Sequence, residues 1–204
     1  MQEDPSLQLA KHNLRATLLD ERMAVSPERR RLLDQQICAR LIGFLSEQPG
    51  DRVSAFWPFR GEPGLVPALE VLHEAGRRVC LPVLAESGMQ FRSWHPDAGL
   101  MANRFGILEP QQGALVEPAE LDWVLMPLVA FSPNGIRLGM GSGYYDRTFA
   151  FCRQLPAGAR PVLVGVAYSL QEVDSLPAQS WDVPLDAVIT EQGVSTFRSL
   201  ADRT

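Results

Sequence analysis

Apolar residues recur at helical spacing in two early stretches of the chain. Over residues 6–24 the positions are Leu7, Leu14 and Leu18, and further on Leu33, Ile37, Leu41 and Leu45 fall four apart until Pro49-Gly50. The spacing predicts two helices in succession, the second with a core-facing stripe. Between them Ser26-Pro27-Glu28 supplies an N-cap hydroxyl, a first-turn proline and an acid that answers the positive end of the helix dipole. The pattern then changes. Residues 52–57 read as a strand, 65–75 as a helix closed by Gly76, and 78–83 and 89–94 as strands separated by a Glu-Ser-Gly turn. Residues 122–131 form a nearly continuous apolar run, as expected of a strand covered on both faces, with Pro127 marking an irregularity or an end. Residues 144–155 suit a helix, 161–167 a buried strand and 186–190 a last core strand. Strands alternating with helices imply an α/β fold: a mainly parallel sheet flanked by helices, Rossmann-like and three-layered. Residues 95–120, with Gly99, Gly106, Gly113 and prolines at 96, 110 and 118, are the longest irregular stretch, and such loops often carry function.

Composition narrows the class. With 204 residues and no repeat, linker or low-complexity tract, one domain over 1–204 is expected, large enough for a substantial core. The formal charge of -5 argues against a nucleic-acid surface, so any anionic substrate has to be met by individually placed arginines and lysines. No stretch is long and uncharged enough to span a bilayer, and Met1-Gln-Glu-Asp-Pro5 lacks the apolar centre of a secretory leader. Cys38, Cys80 and Cys152 are widely separated and odd in number, which fits reduced, buried thiols and a cytoplasmic location. His12, His73 and His95 show no ligand spacing, so a zinc site is not expected.

The candidate chemistry lies in Arg137-Leu138-Gly139-Met140-Gly141-Ser142-Gly143-Tyr144-Tyr145-Asp146-Arg147. Three alternating glycines between a strand-like run and a helix-like segment can turn successive N–H groups onto one anion. Glycine accepts positive φ and has no Cβ to crowd the approach. A helix starting near Gly143 would add its dipole. Arg137 can offer a forked donor to phosphate oxygens, and Asp146 an oxygen to magnesium. The spacing is neither that of a P-loop nor that of the dinucleotide fingerprint.

This string resembles the signature of the 5-formyltetrahydrofolate cyclo-ligase family, also called 5,10-methenyltetrahydrofolate synthetases. Further blocks follow in the family's order: Lys11-His-Asn-Leu-Arg15, Phe56-Trp57 with Glu62, Leu81-Pro82-Val83, Phe105-Gly-Ile-Leu-Glu-Pro110, and Asp182 to Glu191. Family members usually carry Phe-Asp before the glycine loop, whereas this chain has Phe131-Ser132, removing a carboxylate expected near the phosphates.

The resemblance implies ATP- and Mg2+-dependent conversion of 5-formyltetrahydrofolate to 5,10-methenyltetrahydrofolate. Lys11, Arg15 and residues 137–145 would bind ATP, with Arg137 and Tyr145 catalytic. Phe56, Trp57, Glu62, Phe105 and Tyr144 would bind the folate, and Asp146 and Asp182 the metal. A monomer is expected, with small-molecule partners and no nucleic acid or membrane. The residues alone favour plainer readings: Lys11, Arg15 and Arg22 as a solvated basic face, Trp57 and Phe105 as anchoring aromatics, Glu62 as a surface acid and Asp182 as a turn cap. The alternatives are a non-catalytic folate- or nucleotide-binding module, and another ATP-dependent small-molecule kinase or ligase.

Overall fold

The computed structural model describes residues 5–85, 88–198 and 200. Helix α1 (Pro5–Ala24) leads into α2 (Pro27–Ser46) through the cap read from the sequence, with the Arg29 N–H donating to Ser26 Oγ at 3.2 Å and Pro27 in the first turn. The four-apart stripe Leu33, Ile37, Leu41 and Leu45 is buried throughout. Strand β1 (Arg52–Ser54), helix α3 (Val66–Glu74) and strand β2 (Arg78–Ala85) form the first crossover, closed at Gly76, whose φ is 85°.

The long irregular stretch expected over 95–120 is more structured than its glycines and prolines suggest. After β3 (Gly88–Ser93) it holds a small hairpin, β4 (Leu100–Ala102) with β5 (Leu108–Pro110), and then β6 (Leu115–Val116). The Asn103 side chain organises the hairpin turn: its Oδ1 accepts from the N–H groups of Phe105 and Ile107, and its Nδ2 donates to Glu109 Oε1. These short strands have no clear alternation, so local side-chain bonds rather than apolar period define them. Of the expected turn between β2 and β3, Glu86 and Ser87 lie outside the described residues, as do the four N-terminal residues on which the leader argument rests.

Strand β7 (Trp123–Pro127) ends at the proline that breaks the apolar run. Its continuation turns aside as β8 (Ala130–Phe131), which pairs with β9 (Arg137–Leu138) in a separate two-stranded sheet. Helix α4 (Tyr144–Thr148) is much shorter than the helix expected over 144–155; after Phe149 the chain tightens into a 3-10 turn over Ala150–Arg153. Phe149 and Cys152 are both buried, and the tighter turn brings them onto the core together. Strands β10 (Val162–Val166), β11 (Ala187–Ile189) and β12 (Val194–Thr196) complete the main sheet.

That sheet runs β12-β11-β10-β7-β1-β2-β3-β6, with β11, β10, β7, β1 and β2 mutually parallel and the outer strands antiparallel. Alternation along the central strands serves two cores. Trp123, Leu125, Val162 and Val164 face the layer of α2 and α3, while Val124, Met126 and Leu163 face the layer containing Phe149 and Cys152. Read by strand sequence, the parallel part has the order 2-1-3-4-5 of a doubly wound fold. The chain leaves β1 for β2 on one side and later enters β7 on the other, so a crevice opens beyond the C-terminal ends of β1 and β7.

The three cysteines are buried and unpaired, as read from the sequence. Burial pushes the Cys80 and Cys152 thiols up to about 11.

Candidate active site

A cavity of about 760 Å3 lies in that crevice. Every residue given a site role by the family resemblance lines it: Lys11 and Arg15 from α1, Phe56, Trp57 and Glu62 after β1, Phe105 from the β4–β5 turn, Arg137 through Asp146, and Asp182.

The glycine loop lines this cavity. Gly141 (φ 99°) and Gly143 (φ 62°) adopt the left-handed backbone expected of them, and Gly143 is the N-cap of α4. Gly139 does not, and an added Cβ there would stand 3.5 Å from Arg137 Nη1, an ordinary contact. Two of the three glycines are therefore demanded by backbone conformation. The five-residue α4 also carries far less dipole than a helix over 144–155 would. Arg15 Nε donates to Gly139 O at 2.8 Å and Arg147 Nη1 to Ser142 O at 2.7 Å, which brace the loop from two sides.

Arg137 and Asp146 meet across this loop, Nη2 to Oδ1 at 2.7 Å, and the same oxygen accepts the Val183 N–H at 3.1 Å. Asp182 Oδ2 accepts the Gln179 N–H at 2.8 Å and lies 4.0 Å from Lys11 Nζ. The turn-cap reading of Asp182 is thus correct locally, and the same carboxylate faces the cavity. Six basic side chains line the site (Lys11, Arg15, Arg60, Arg137, Arg147 and Arg153) against four acidic ones (Glu62, Glu109, Asp146 and Asp182). A chain of net charge -5 therefore concentrates cations where an anion would enter.

The solvated-face reading of the first helix is overturned. Lys11 and Arg22 are buried and Arg15 half-buried, because α1 lays that stripe against the loops that close the cavity.

Apolar side chains also line the cavity, among them Phe56, Trp57, Leu84, Met89, Phe105 and Ile107. Phe56 is largely core, whereas Phe105 is 45% exposed at the hairpin tip, ready to meet a ligand face. Arg104 beside it donates to Tyr144 Oη at 2.8 Å, joining hairpin to α4. Tyr145 is packed flat on Phe149, 6.3 Å between ring centroids at 17°, and burial pushes its phenol far up, so it stays neutral. Glu62, expected at the surface from the residues alone, is buried. Its Oε2 accepts the Phe59 N–H at 2.9 Å, and desolvation pushes the carboxyl up to about 7 against the opposing pull of Arg22.

Ser132 does not line the cavity. It is buried in the β8–β9 turn, where its N–H donates to Ile136 O at 3.0 Å and its hydroxyl meets Asn134 Oδ1. In this chain the position serves the turn.

The sequence reading assigned no role to Arg60, Leu128, Arg147, Arg153 and Trp181, all of which are in the lining. Trp181 adjoins Asp182 and was within reach. Arg60 is the one non-glycine residue with positive φ (46°) among the described residues, in a turn with Gly61 whose only trace is an Arg-Gly pair.

Fold and site together define a doubly wound α/β protein whose switch-point cleft combines a glycine loop, clustered cations, apolar side chains and a buried carboxylate. Residues 8–191 match the model of the 5-formyltetrahydrofolate cyclo-ligase family, and the chain belongs to that family. It is 37% identical over 178 residues to the 5-formyltetrahydrofolate cyclo-ligase of Escherichia coli K12, covering 85% of this chain and 96% of that one. To the Haemophilus influenzae protein of the same name it is 33% identical, covering 74% and 82%. Among solved structures it resembles the 5,10-methenyltetrahydrofolate synthetase of Aquifex aeolicus, with a TM-score of 0.80, 33% identity and 93% of each chain covered. The Mycoplasma pneumoniae synthetase gives 0.72 at 31% identity, covering 89% of this chain and 98% of that one.

Proposed function

We propose that this chain is a 5-formyltetrahydrofolate cyclo-ligase, using ATP to close the formyl group into 5,10-methenyltetrahydrofolate. The observation that carries the reading is convergence. Blocks scattered from Lys11 to Asp182 line one cleft, which combines clustered cations and a glycine loop with aromatic and apolar side chains, as a nucleotide triphosphate and a folate ring would require.

The formyl oxygen is a poor leaving group. Transfer of the terminal phosphoryl group of ATP to that oxygen releases ADP and makes the carbon electrophilic. The nitrogen at folate position 10 attacks that carbon and loses its proton, the carbon–oxygen bond breaks, and phosphate leaves. Phosphoryl transfer asks for alignment and charge neutralisation more than for covalent help. Lys11, Arg15 and Arg137, with the N–H groups of residues 138–145, would hold the phosphates. Arg137 would answer the charge that builds on the transferred group, and Tyr145, neutral and immobile beneath it, would fix the guanidinium by its ring, 5.9 Å away. Phe56, Trp57, Phe105 and Tyr144 would pack the folate, with Glu62 as its polar partner.

Asp146 and Asp182 suit a magnesium ion carried with the nucleotide. Both are hard oxygen donors on the same cavity, and among the described residues no group of three acidic, cysteine or histidine side chains could make a complete protein cage. Magnesium tolerates this because water and phosphate oxygens complete its shell. When bound it would neutralise phosphate charge.

The whole of residues 1–204 would act as one cyclo-ligase domain, monomeric and cytoplasmic, with small molecules as its partners. No helix among the described residues is long and apolar enough to cross a membrane.

The test is the rise of methenyl absorbance when the protein is mixed with 5-formyltetrahydrofolate, ATP and magnesium. A rise that disappears without ATP and without metal supports the reading in full. No rise from folded protein that still binds ATP moves it to a binding module or to a kinase of another substrate.

A further inference from the structure

Arg22 stands behind the cavity wall and touches three residues of its lining. The side chain is 1% exposed. Its Nε donates to Arg60 O at 3.1 Å and Nη1 to Leu128 O at 3.0 Å, and Nη2 lies 4.0 Å from Glu62 Oε1. Arg60 and Glu62 belong to the loop after β1 and Leu128 to the loop after β7, so one side chain from α1 joins both edges of the switch-point crevice. A buried guanidinium is costly unless its charge is answered. Nη2 makes no hydrogen bond, and the carboxylate facing it is Glu62.

The turn that Arg22 grips is itself unusual. Arg60 and Gly61 both have positive φ (46° and 74°), and the Glu62 N–H closes onto Phe59 O at 3.1 Å. A non-glycine residue held in that region needs outside support, and such strain gathers at functional sites. Arg22 supplies that support at the Arg60 carbonyl.

We propose that Arg22 is a positioning residue for ligand recognition: it fixes the strained turn, and its charge, 4.0 Å from Oε1, favours the carboxylate form of Glu62 on the cavity wall. An ionised carboxylate there accepts two hydrogen bonds and selects a heterocycle presenting adjacent N–H donors, such as an aminopyrimidinone ring; a protonated one accepts poorly. The inference rests on the folate reading above.

The charged and titratable groups around Glu62 are Arg22 from α1, Arg60 on its own turn and Tyr145 from α4. Arg137 stands behind Tyr145, and Arg30 and Tyr168 stand behind Arg22. Burial holds the Glu62 carboxyl near 7, and Arg22 is the first influence acting against it, so removing that cation raises the carboxyl further.

The experiment measures binding of 5-formyltetrahydrofolate by tryptophan fluorescence from about pH 5.5 to about 9.5, in wild type, Arg22→Met, Arg22→Lys, Glu62→Gln and the Arg22→Met/Glu62→Gln pair. Wild-type affinity is expected to rise with pH through the Glu62 transition and then level off. Arg22→Met moves that rise upward by about one pH unit or more and weakens binding about tenfold at neutral pH. Arg22→Lys keeps it near the wild-type position. Glu62→Gln loses it, and adding Arg22→Met to that background weakens binding little further. A merely structural role would lower thermal stability and leave the pH profile in place, and that result overturns the proposal. If Arg22→Met does not fold, Glu62→Gln decides: a pH-dependent rise that survives in that variant overturns the proposal, and its loss, with Arg22→Lys retaining it, supports it. Wild-type protein that binds no 5-formyltetrahydrofolate removes the folate reading and this inference with it. Binding that titrates identically with and without Arg22 removes this inference alone.

Discussion

Arg137 and Asp146 are bonded to each other across the glycine loop, Nη2 to Oδ1 at 2.7 Å, although they stand nine positions apart in the chain. The cation expected to meet phosphate and the carboxylate expected to meet metal thus hold one another in place. The pair sets the ends of the loop a fixed distance apart, and the Val183 N–H anchors Asp146 to the closing block that carries Asp182.

Breaking this pair should impair turnover far more than folding. Arg137→Ala is expected to lower kcat/KM by roughly a hundredfold to a thousandfold, about 2.7–4 kcal/mol of activation free energy, as for the loss of an oxyanion-type donor. Asp146→Asn keeps an acceptor for Arg137 and for Val183 while removing the charge, so its melting temperature should stay close to wild type as turnover falls. Steady-state kinetics and thermal denaturation on the same preparations check this. Full activity in folded Arg137→Ala would remove Arg137 from the mechanism.

The glycines separate conformation from ligand approach. Gly141→Ala forces a side chain into φ 99° and should cost roughly 1–2 kcal/mol of stability along with ATP affinity. Gly139→Ala meets only an ordinary contact at 3.5 Å and should leave stability unchanged. A fall in ATP affinity in that variant would then report a phosphate lying against the backbone. Titration of both variants with ATP, beside their melting curves, distinguishes the two effects.

Glu62 should shape the pH dependence of stability. Burial raises its carboxyl from 4.5 to about 7, so between those values the folded state holds a proton that the unfolded state has released. Its contribution is fully present below about pH 4.5 and is lost as pH rises to about 7, after which it is flat; the span is up to about 3 kcal/mol. Glu62→Gln should abolish that slope. Equal pH slopes in denaturant titrations of the two proteins would show that Glu62 is not a buried titrating group.

Arg160 and Asp186, neither of which lines the cavity, provide a contrast. They form a bidentate pair at 2.7 and 2.6 Å, with the Leu163 N–H also donating to Asp186 at 2.9 Å, and both side chains are buried. Asp186→Ala leaves a buried cation unanswered and should destabilise by about 3–5 kcal/mol. At low temperature, kcat/KM per folded molecule should be unchanged; chemical denaturation and active-site titration measure the two quantities.

What the sequence determined is what short-range physics governs. The N-cap at Ser26, the buried stripe from Leu33 to Leu45, the end of β7 at Pro127 and the left-handed Gly141 and Gly143 all follow from period, capping or backbone freedom within a few residues. Of the candidate site, the glycine loop with Arg137 and Asp146 was legible in local chemistry, whereas Lys11, Arg15, Glu62 and Asp182 entered only through the family resemblance, because their own residue patterns read as plainer features. Only the tertiary structure decided which faces of these elements are inside. Arg22 shares a helical stripe with Lys11 and Arg15, and nothing within that helix says whether water or protein covers it; packing against the loops after β1 and β7 buries it. Glu62 likewise becomes a buried carboxylate, and Ser132 a turn residue rather than a cavity residue, through contacts between segments far apart in the chain. Burial and charge depend on what the rest of the fold places opposite a residue, and no local pattern encodes that.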